Sequence, residues 1–132
     1  MSERGNQGDG LSRTIGVEYV DLSPEHAVAR LEVTDTVRQP FGIVHGGALA
    51  TLAESLCSRA TYEAVAADGM VAMGQANQTS FIRPIASGRV TCEARARHRG
   101  RSTWVWDCDL SDDEGRLCAL ARLTIAVRPA PG

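Results

Sequence analysis

The sequence contains no lysine; all 14 of its basic residues are arginine. Without lysine, no Schiff base can form with a carbonyl substrate or with pyridoxal phosphate. A phosphate-binding loop of the G-x-x-x-x-G-K-S/T kind is excluded as well, because its Lys is missing. Long apolar runs are also lacking: none approaches the roughly 20 residues of a membrane span. The N-terminal MSERGNQGDG has no apolar stretch of the signal-peptide kind, so a cytoplasmic protein is expected. A net charge of −2 gives no electrostatic support for a nucleic-acid or membrane-surface partner. Cys57, Cys92, Cys108 and Cys118 contain no C-x-x-C pair, and His26, His45 and His98 stand apart from them. Free buried thiols and no metal site are expected. The preference for arginine reads as the mark of a GC-rich genome, but its placement is uneven: five of the 14 arginines fall between Arg89 and Arg101.

The 132 residues suffice for one domain with its own core. Residues 1–12 are polar and glycine-rich and read as a flexible tail, 13–129 as the domain, and 130–132 as a loose end. Thr14 to Leu22 reads as a strand and Ser23-Pro24-Glu25 as a turn. His26 to Val33 alternates, with Ala27, Ala29, Leu31 and Val33 on one side. A connection containing Pro40 and Gly42 leads to a long helix from about Gly46 to Ala67, ended by Asp68-Gly69. Period-two patterns follow over Met70–Arg83, Arg89–Arg99, Ser102–Leu110 and Arg116–Val127, with a hairpin turn at Asp112 to Gly115. Two strands, a helix and four antiparallel strands predict an α+β domain: one curved antiparallel sheet around one long central helix.

Within that helix, Leu49, Leu52, Ala53, Leu56, Ala60 and Ala64 form a core stripe. The opposite face carries Thr51, Glu54, Ser55, Ser58, Thr61 and Tyr62 and is poor in charge. Small residues there suit close packing, so cover by a second subunit is expected. Glu54 and Ser58, four apart, share this face. A carboxylate without a cation four residues away has a reason other than a helix-surface ion pair. The approach, Gln39-Pro40-Phe41-Gly42-Ile43-Val44-His45-Gly46-Gly47, has no Ser, Thr, Asp or Asn cap before its glycines. The first N–H groups of the helix are therefore expected to be open, an oxyanion site at the positive end of the dipole.

These residues carry a resemblance. G-x-x-H-G-G with a carboxylate nine residues after the His is present as Gly42, His45, Gly46, Gly47 and Glu54, and the chain resembles the hotdog-fold acyl-CoA thioesterases. Gln39 and Glu54 stand where a phenylacetyl-type branch has Asn and Asp. The pair looks like the 4-hydroxybenzoyl-CoA thioesterase branch, which forms back-to-back tetramers. The likeness extends over roughly residues 15–129, through Leu31 to Thr36, Gly74 to Phe81 and Asp112 to Pro129.

The resemblance implies a role for each position. Glu54 is the catalytic carboxylate, as nucleophile or as general base. Gly46 supplies the N–H that polarises the thioester carbonyl, and Gln39 orients the thioester. Ser58 sits beside Glu54, and His45 supports the turn. Arg83, Ser102 and Thr103 match coenzyme A phosphate contacts, with Arg99 and Arg101 beside them. Coenzyme A is part of the substrate, and no separate cofactor is implied. The family builds each active site from two subunits of a homotetramer, a dimer of dimers. The expected activity is hydrolysis of an aromatic acyl-CoA, with 4-hydroxybenzoyl-CoA foremost. A broader aryl- or phenylacetyl-CoA thioesterase and a non-catalytic acyl-CoA-binding protein remain alternatives.

Overall fold

The structure, a computed structural model, describes residues 8–132. The expected tail therefore lies outside the described residues over 1–7. Over 8–12 the backbone is placed: the Gly8 N–H donates to Val17 O, and a short helix, α1 (Leu11–Ile15), follows. Thr14 and Ile15 belong to this helix, which corrects the strand expected from Thr14. Gly16 closes it at φ 89, and β1 (Glu18–Leu22) begins only beyond that left-handed turn. The remaining elements are β2 (His26–Glu32), a 3-10 turn (Asp35–Val37), α2 (Gly46–Val65), a second 3-10 turn (Ala66–Asp68), β3 (Met70–Phe81), β4 (Arg89–Arg99), β5 (Thr103–Ser111) and β6 (Leu117–Pro129). Among the described residues the strands form one six-stranded sheet in the order β1-β2-β4-β5-β6-β3, all neighbours antiparallel. No helix among the described residues is long and apolar enough to cross a membrane.

Helix α2 forms because alanine and leucine dominate it, and it stays because its apolar stripe is covered by the sheet. Leu49, Leu52, Ala53, Leu56 and Ala60 are buried as the spacing predicts. Two details differ. Ala64 is exposed, and Thr61, expected on the open face, is fully buried. The Thr61 hydroxyl donates to Cys57 O (2.7 Å) and accepts from Trp106 Nε1–H (2.9 Å), so two buried polar groups satisfy each other. Truncating Leu52 or Leu56, both 0% exposed, would cost about 2–5 kcal/mol. The sheet supplies Ala27, Ala29, Leu31, Val90, Cys92, Trp106, Cys108, Leu110 and Leu123 to the same core. All four cysteines are free and buried; Cys57 Sγ and Cys108 Sγ are 3.4 Å apart, and burial pushes the Cys57 thiol up.

The register breaks at several points. In β4, Arg97 is an extra residue between the pairs Ala96↔Trp106 and His98↔Val105, so Arg99 lies opposite Trp104 rather than in line with Arg95. In β3, Gly74 pairs with Ile125 and Ala76 with Thr124, which leaves Gln75 as a bulge. That second bulge shapes the site.

Candidate active site

The loop before α2 is tied down on both sides. Gln39 N–H donates to Ile43 O (2.8 Å), and Gly42, at φ 86, donates to Gln39 O (2.9 Å). Val44 N–H reaches Ile85 O, and His45 N–H reaches Val37 O. Within this frame the Gln39 Oε1 accepts from the Phe41 N–H at 2.6 Å. Its oxygen is thereby committed, and the amide NH2 is the end left to donate to a ligand.

The helix start is capped, contrary to the open end expected. His45 is the N-cap, and its Nδ1 accepts from the Gly47 N–H at 3.0 Å. An imidazole nitrogen with a lone pair does here what a Ser or Asp oxygen usually does. With Nδ1 accepting, Nε2 is the ring nitrogen that carries the proton. Ala48 N–H bonds His45 O, while the Gly46 N–H has no hydrogen bond among the described residues. A Cβ at Gly46 would lie 2.8 Å from the Phe81 ring, so only glycine fits under that aromatic edge. Donor-bearing backbone and a flat apolar neighbour are thus held together at the helix N-terminus.

Two turns further along α2, Glu54 is exposed and packs on β3, with no ion pair to a cation among the described residues. A Cβ at Gly74 would lie 2.8 Å from Glu54 Cδ and 2.9 Å from Oε2. Asn77 Nδ2 donates to Glu54 Oε1 (3.2 Å) and to Ala50 O (3.0 Å), and the Thr79 hydroxyl donates to Asn77 Oδ1 (2.6 Å). Gly74 and Asn77 are three apart, yet both meet Glu54. The bulge at Gln75 makes this possible by adding one residue to the alternation. Two cavities of about 310 and 500 Å³ flank Glu54. Ser58, Arg59, Tyr19 and Tyr62 line the larger, and Ser12 and Ser55 border both. The Ser12 and Ser55 hydroxyls are hydrogen-bonded, which docks α1 beside Glu54. Arg59 lies over the Tyr19 ring (5.2 Å to its centroid) and 3.2 Å from Glu63, and burial raises the Tyr19 phenol above its usual range.

The arginines sort into two groups. Arg95 pairs with Glu93 and Asp109, Arg97 with Asp107, and Arg99 with Glu25 (3.3 Å). Arg83 and Arg101 are exposed, and neither side chain has an ion pair or hydrogen bond among the described residues. Thr103 and Ser102 use their carbonyls in the turn, accepting from Gly100 N–H and from Val127 N–H and Arg128 respectively. Within one chain Arg83 does not meet this turn. It follows the Phe81 end of β3, where its N–H bonds Cys118 O, whereas Thr103 pairs with Ala126 at the other end of β6. The nine residues of β5 separate the two places by about 25 Å.

A thioesterase-superfamily sequence profile matches residues 41–119, the stretch from the helix-leading loop to the start of β6. The chain belongs to the thioesterase superfamily. This superfamily member is 39% identical over 119 residues to 1,4-dihydroxy-2-naphthoyl-CoA hydrolase of Listeria monocytogenes, covering 90% of this chain and 96% of that protein. It is 36% identical over 117 residues to proofreading thioesterase EntH of Cronobacter turicensis, covering 89% of this chain and 85% of that one. Its fold matches the crystal structure of a mutant thioesterase from Pseudomonas aeruginosa with a TM-score of 0.89 at 39% identity, over 96% of this chain and 91% of that chain. The antiparallel sheet around one long helix is the hotdog fold of this superfamily.

Asn77, Thr79 and Gly74 are the site residues that sequence reasoning missed, although their segment was part of the resemblance. A carboxylate needing a donor was visible in the sequence; the bulge that brings Asn77 to it was not.

Proposed function

We propose that this chain hydrolyses aromatic acyl-CoA thioesters, with 4-hydroxybenzoyl-CoA the substrate that the Gln39–Glu54 pair favours. The observation that carries the reading is the state of the Glu54 carboxylate. Oε1 is bonded by Asn77, while Oε2 lies over the bare Gly74 backbone beside two cavities. An ionised carboxylate there can take a proton from water, whose oxygen then attacks the acyl carbon. It can also attack that carbon itself, giving a mixed anhydride that water opens. In both routes the C–S bond breaks and coenzyme A leaves as thiolate. A thiol pKa of about 8.5, as for cysteine, makes that a good leaving group, so no strong acid is required. Negative charge on the carbonyl oxygen is met by the Gly46 N–H and the Gln39 amide; losing one such donor costs about 3 kcal/mol.

One chain cannot complete this site. Gly46 and Glu54 are eight residues apart on one helix, about 12 Å along its axis. A single carbonyl cannot be reached from both ends, even with the Glu54 side chain leaning towards the N-terminus. A second copy running antiparallel would set its Gly46 beside this Glu54. Strand β3 suits that pairing: it is the sheet edge, 12 residues long, with no charge and no proline to block another strand. The same antiparallel pairing would bring Arg83 of one copy towards the Arg101–Thr103 turn of the other, where coenzyme A phosphates would bind. Two such dimers would make the homotetramer of this branch, in the cytoplasm.

The acyl group is read from the larger cavity. Tyr19 and Tyr62 offer rings, and Ser58 offers a hydroxyl beside Glu54. The 1,4-dihydroxy-2-naphthoyl-CoA hydrolase relative supports a hydroxylated aromatic group. The test is a hydrolysis screen over 4-hydroxybenzoyl-, benzoyl-, phenylacetyl- and short aliphatic acyl-CoA, with Glu54→Ala as control. Faster turnover of the aromatic esters, abolished in Glu54→Ala, is expected. Binding without hydrolysis of any of them would identify a non-catalytic acyl-CoA-binding protein instead.

A further inference from the structure

We infer that Asn77, locked by Thr79, is the positioning residue that sets the attacking oxygen of Glu54; this rests on Glu54 acting on the thioester. The orientation of the amide follows from its neighbours. Asn77 Nδ2 faces Ala50 O at 3.0 Å and Glu54 Oε1 at 3.2 Å. A carbonyl and an ionised carboxylate only accept, so the NH2 must point at them, one hydrogen to each. Oδ1 then faces Thr79, whose hydroxyl can only donate to it, at 2.6 Å. A flip of the amide would set oxygen against two acceptors, and the Thr79 bond opposes it. Every hydrogen of the chain from Thr79 to Glu54 is assigned without ambiguity.

The consequence falls on the carboxylate. Glu54 is exposed on a helix, with no cation four residues away to hold it. Free, it would spread over several rotamers. The Asn77 bond pins Oε1 at the level of Ala50 O, one turn back along the helix, and leaves Oε2 over Gly74 as the oxygen that reacts. Asn77 touches neither acyl carbon nor leaving group in this scheme, so its removal acts through Glu54 and on turnover, not on coenzyme A binding. Thr79 acts one step further back, through Asn77.

The experiment compares Asn77→Ala, Thr79→Val, Thr79→Ser, the double variant Asn77→Ala/Thr79→Val and Glu54→Ala, on 4-hydroxybenzoyl-CoA or the fastest ester of the panel. For Asn77→Ala, kcat should fall about 10- to 30-fold with KM within about twofold, since one charge-assisted bond is lost. Thr79→Val should lose about 3- to 10-fold, and Thr79→Ser should stay within about twofold of the parent, because the hydroxyl rather than the methyl matters. The double variant should be no slower than Asn77→Ala, the sign of one shared path. An unchanged kcat in Asn77→Ala, additive losses, or Thr79→Ser as slow as Thr79→Val would overturn the relay. If Asn77→Ala does not fold, the two Thr79 variants decide by the same criterion. Full activity in Glu54→Ala would sink the proposed function itself. An inactive Glu54→Ala beside an unaffected Asn77→Ala would sink the relay alone.

Discussion

Gly74→Ala separates activity from stability in a way that follows directly from the contact between β3 and α2. Gly74 has no positive φ, so its backbone accepts alanine without strain. Replacing a strand glycine with alanine stabilises by about 0.5–1 kcal/mol, chiefly through the unfolded chain. The new Cβ, however, would lie 2.8 Å from Glu54 Cδ and 2.9 Å from Oε2. Ordinary contact begins near 3.4 Å, so the carboxylate must retreat by about 0.6 Å. It can, because Glu54 is exposed, at a rotamer cost of about 0.5–1.5 kcal/mol. The two terms nearly cancel, and the melting temperature should move by less than about 5 °C. The catalytic geometry does not escape. The Asn77 bond, already 3.2 Å, stretches towards breaking, and a displacement approaching 1 Å can cost up to about 100-fold in rate. We expect kcat to drop about 10- to 100-fold with KM little changed, read from thiol release in steady state beside a thermal melt. A wild-type kcat at an unchanged melting temperature would refute the placement of Glu54 over Gly74. A loss of activity matched by a large loss of stability would also refute the reasoning, since the strand itself would then have failed.

Three further perturbations probe the rest of the site and the sheet. His45→Ala removes the cap of α2 and should destabilise by about 1 kcal/mol, while His45→Asn should restore most of it; equal melting temperatures for all three proteins would deny the capping role. Arg83→Ala and Arg101→Ala should each raise KM about tenfold at constant kcat, whereas Arg97→Ala, whose guanidinium already faces Asp107, should change neither; unchanged KM in the first two would remove them from coenzyme A binding. Across the β5–β6 pair, Arg122 bonds Asp107 at 2.7 and 3.1 Å and holds its carboxyl below the usual range. A depressed carboxyl stabilises the fold above the unfolded value of about pH 4, and that contribution is lost as pH falls through the lower folded value. Asp107→Asn should therefore flatten the decline of melting temperature on acidification below about pH 4, and an unaltered slope would contradict this.

The sequence disclosed the fold through periodicity. The stripe from Leu49 to Ala60 and the alternation of Trp104, Trp106, Cys108 and Leu110 are averages over many residues, and single deviations do not disturb them. The errors lie where one residue decides. Thr14 and Ile15 are β-branched and read as strand, but Gly16 in a left-handed conformation ends a helical turn there. Thr61 reads as an open-face residue, yet its hydroxyl satisfies the buried Trp106 indole. His45 does not stand out as a cap in the sequence because the usual caps are oxygens, although its Nδ1 has the same lone pair.

The site was legible only in halves. Gly46 and Glu54 stand out because each breaks the pattern around it, a glycine at a helix start and a carboxylate on a charge-poor face. What links Glu54 to the sheet is hidden by the bulge. Strict alternation from Gly74 puts Ala76 and Gln78 on the helix side and turns Asn77 and Thr79 away from it. The extra Gln75 reverses that parity, so Asn77, Thr79 and Phe81 face α2, and meet Glu54, Asn77 and Gly46 respectively. One inserted residue thus converts a strand that would present nothing to the carboxylate into one that holds it. It also sets an aromatic edge over the helix start. A bulge of this kind leaves no mark in hydrophobic pattern, because β3 is a polar edge strand with little alternation to interrupt. Deleting Gln75 should therefore leave a strand that can still pair with β6 but faces the helix with the wrong side chains, and hydrolysis should be lost even where folding survives.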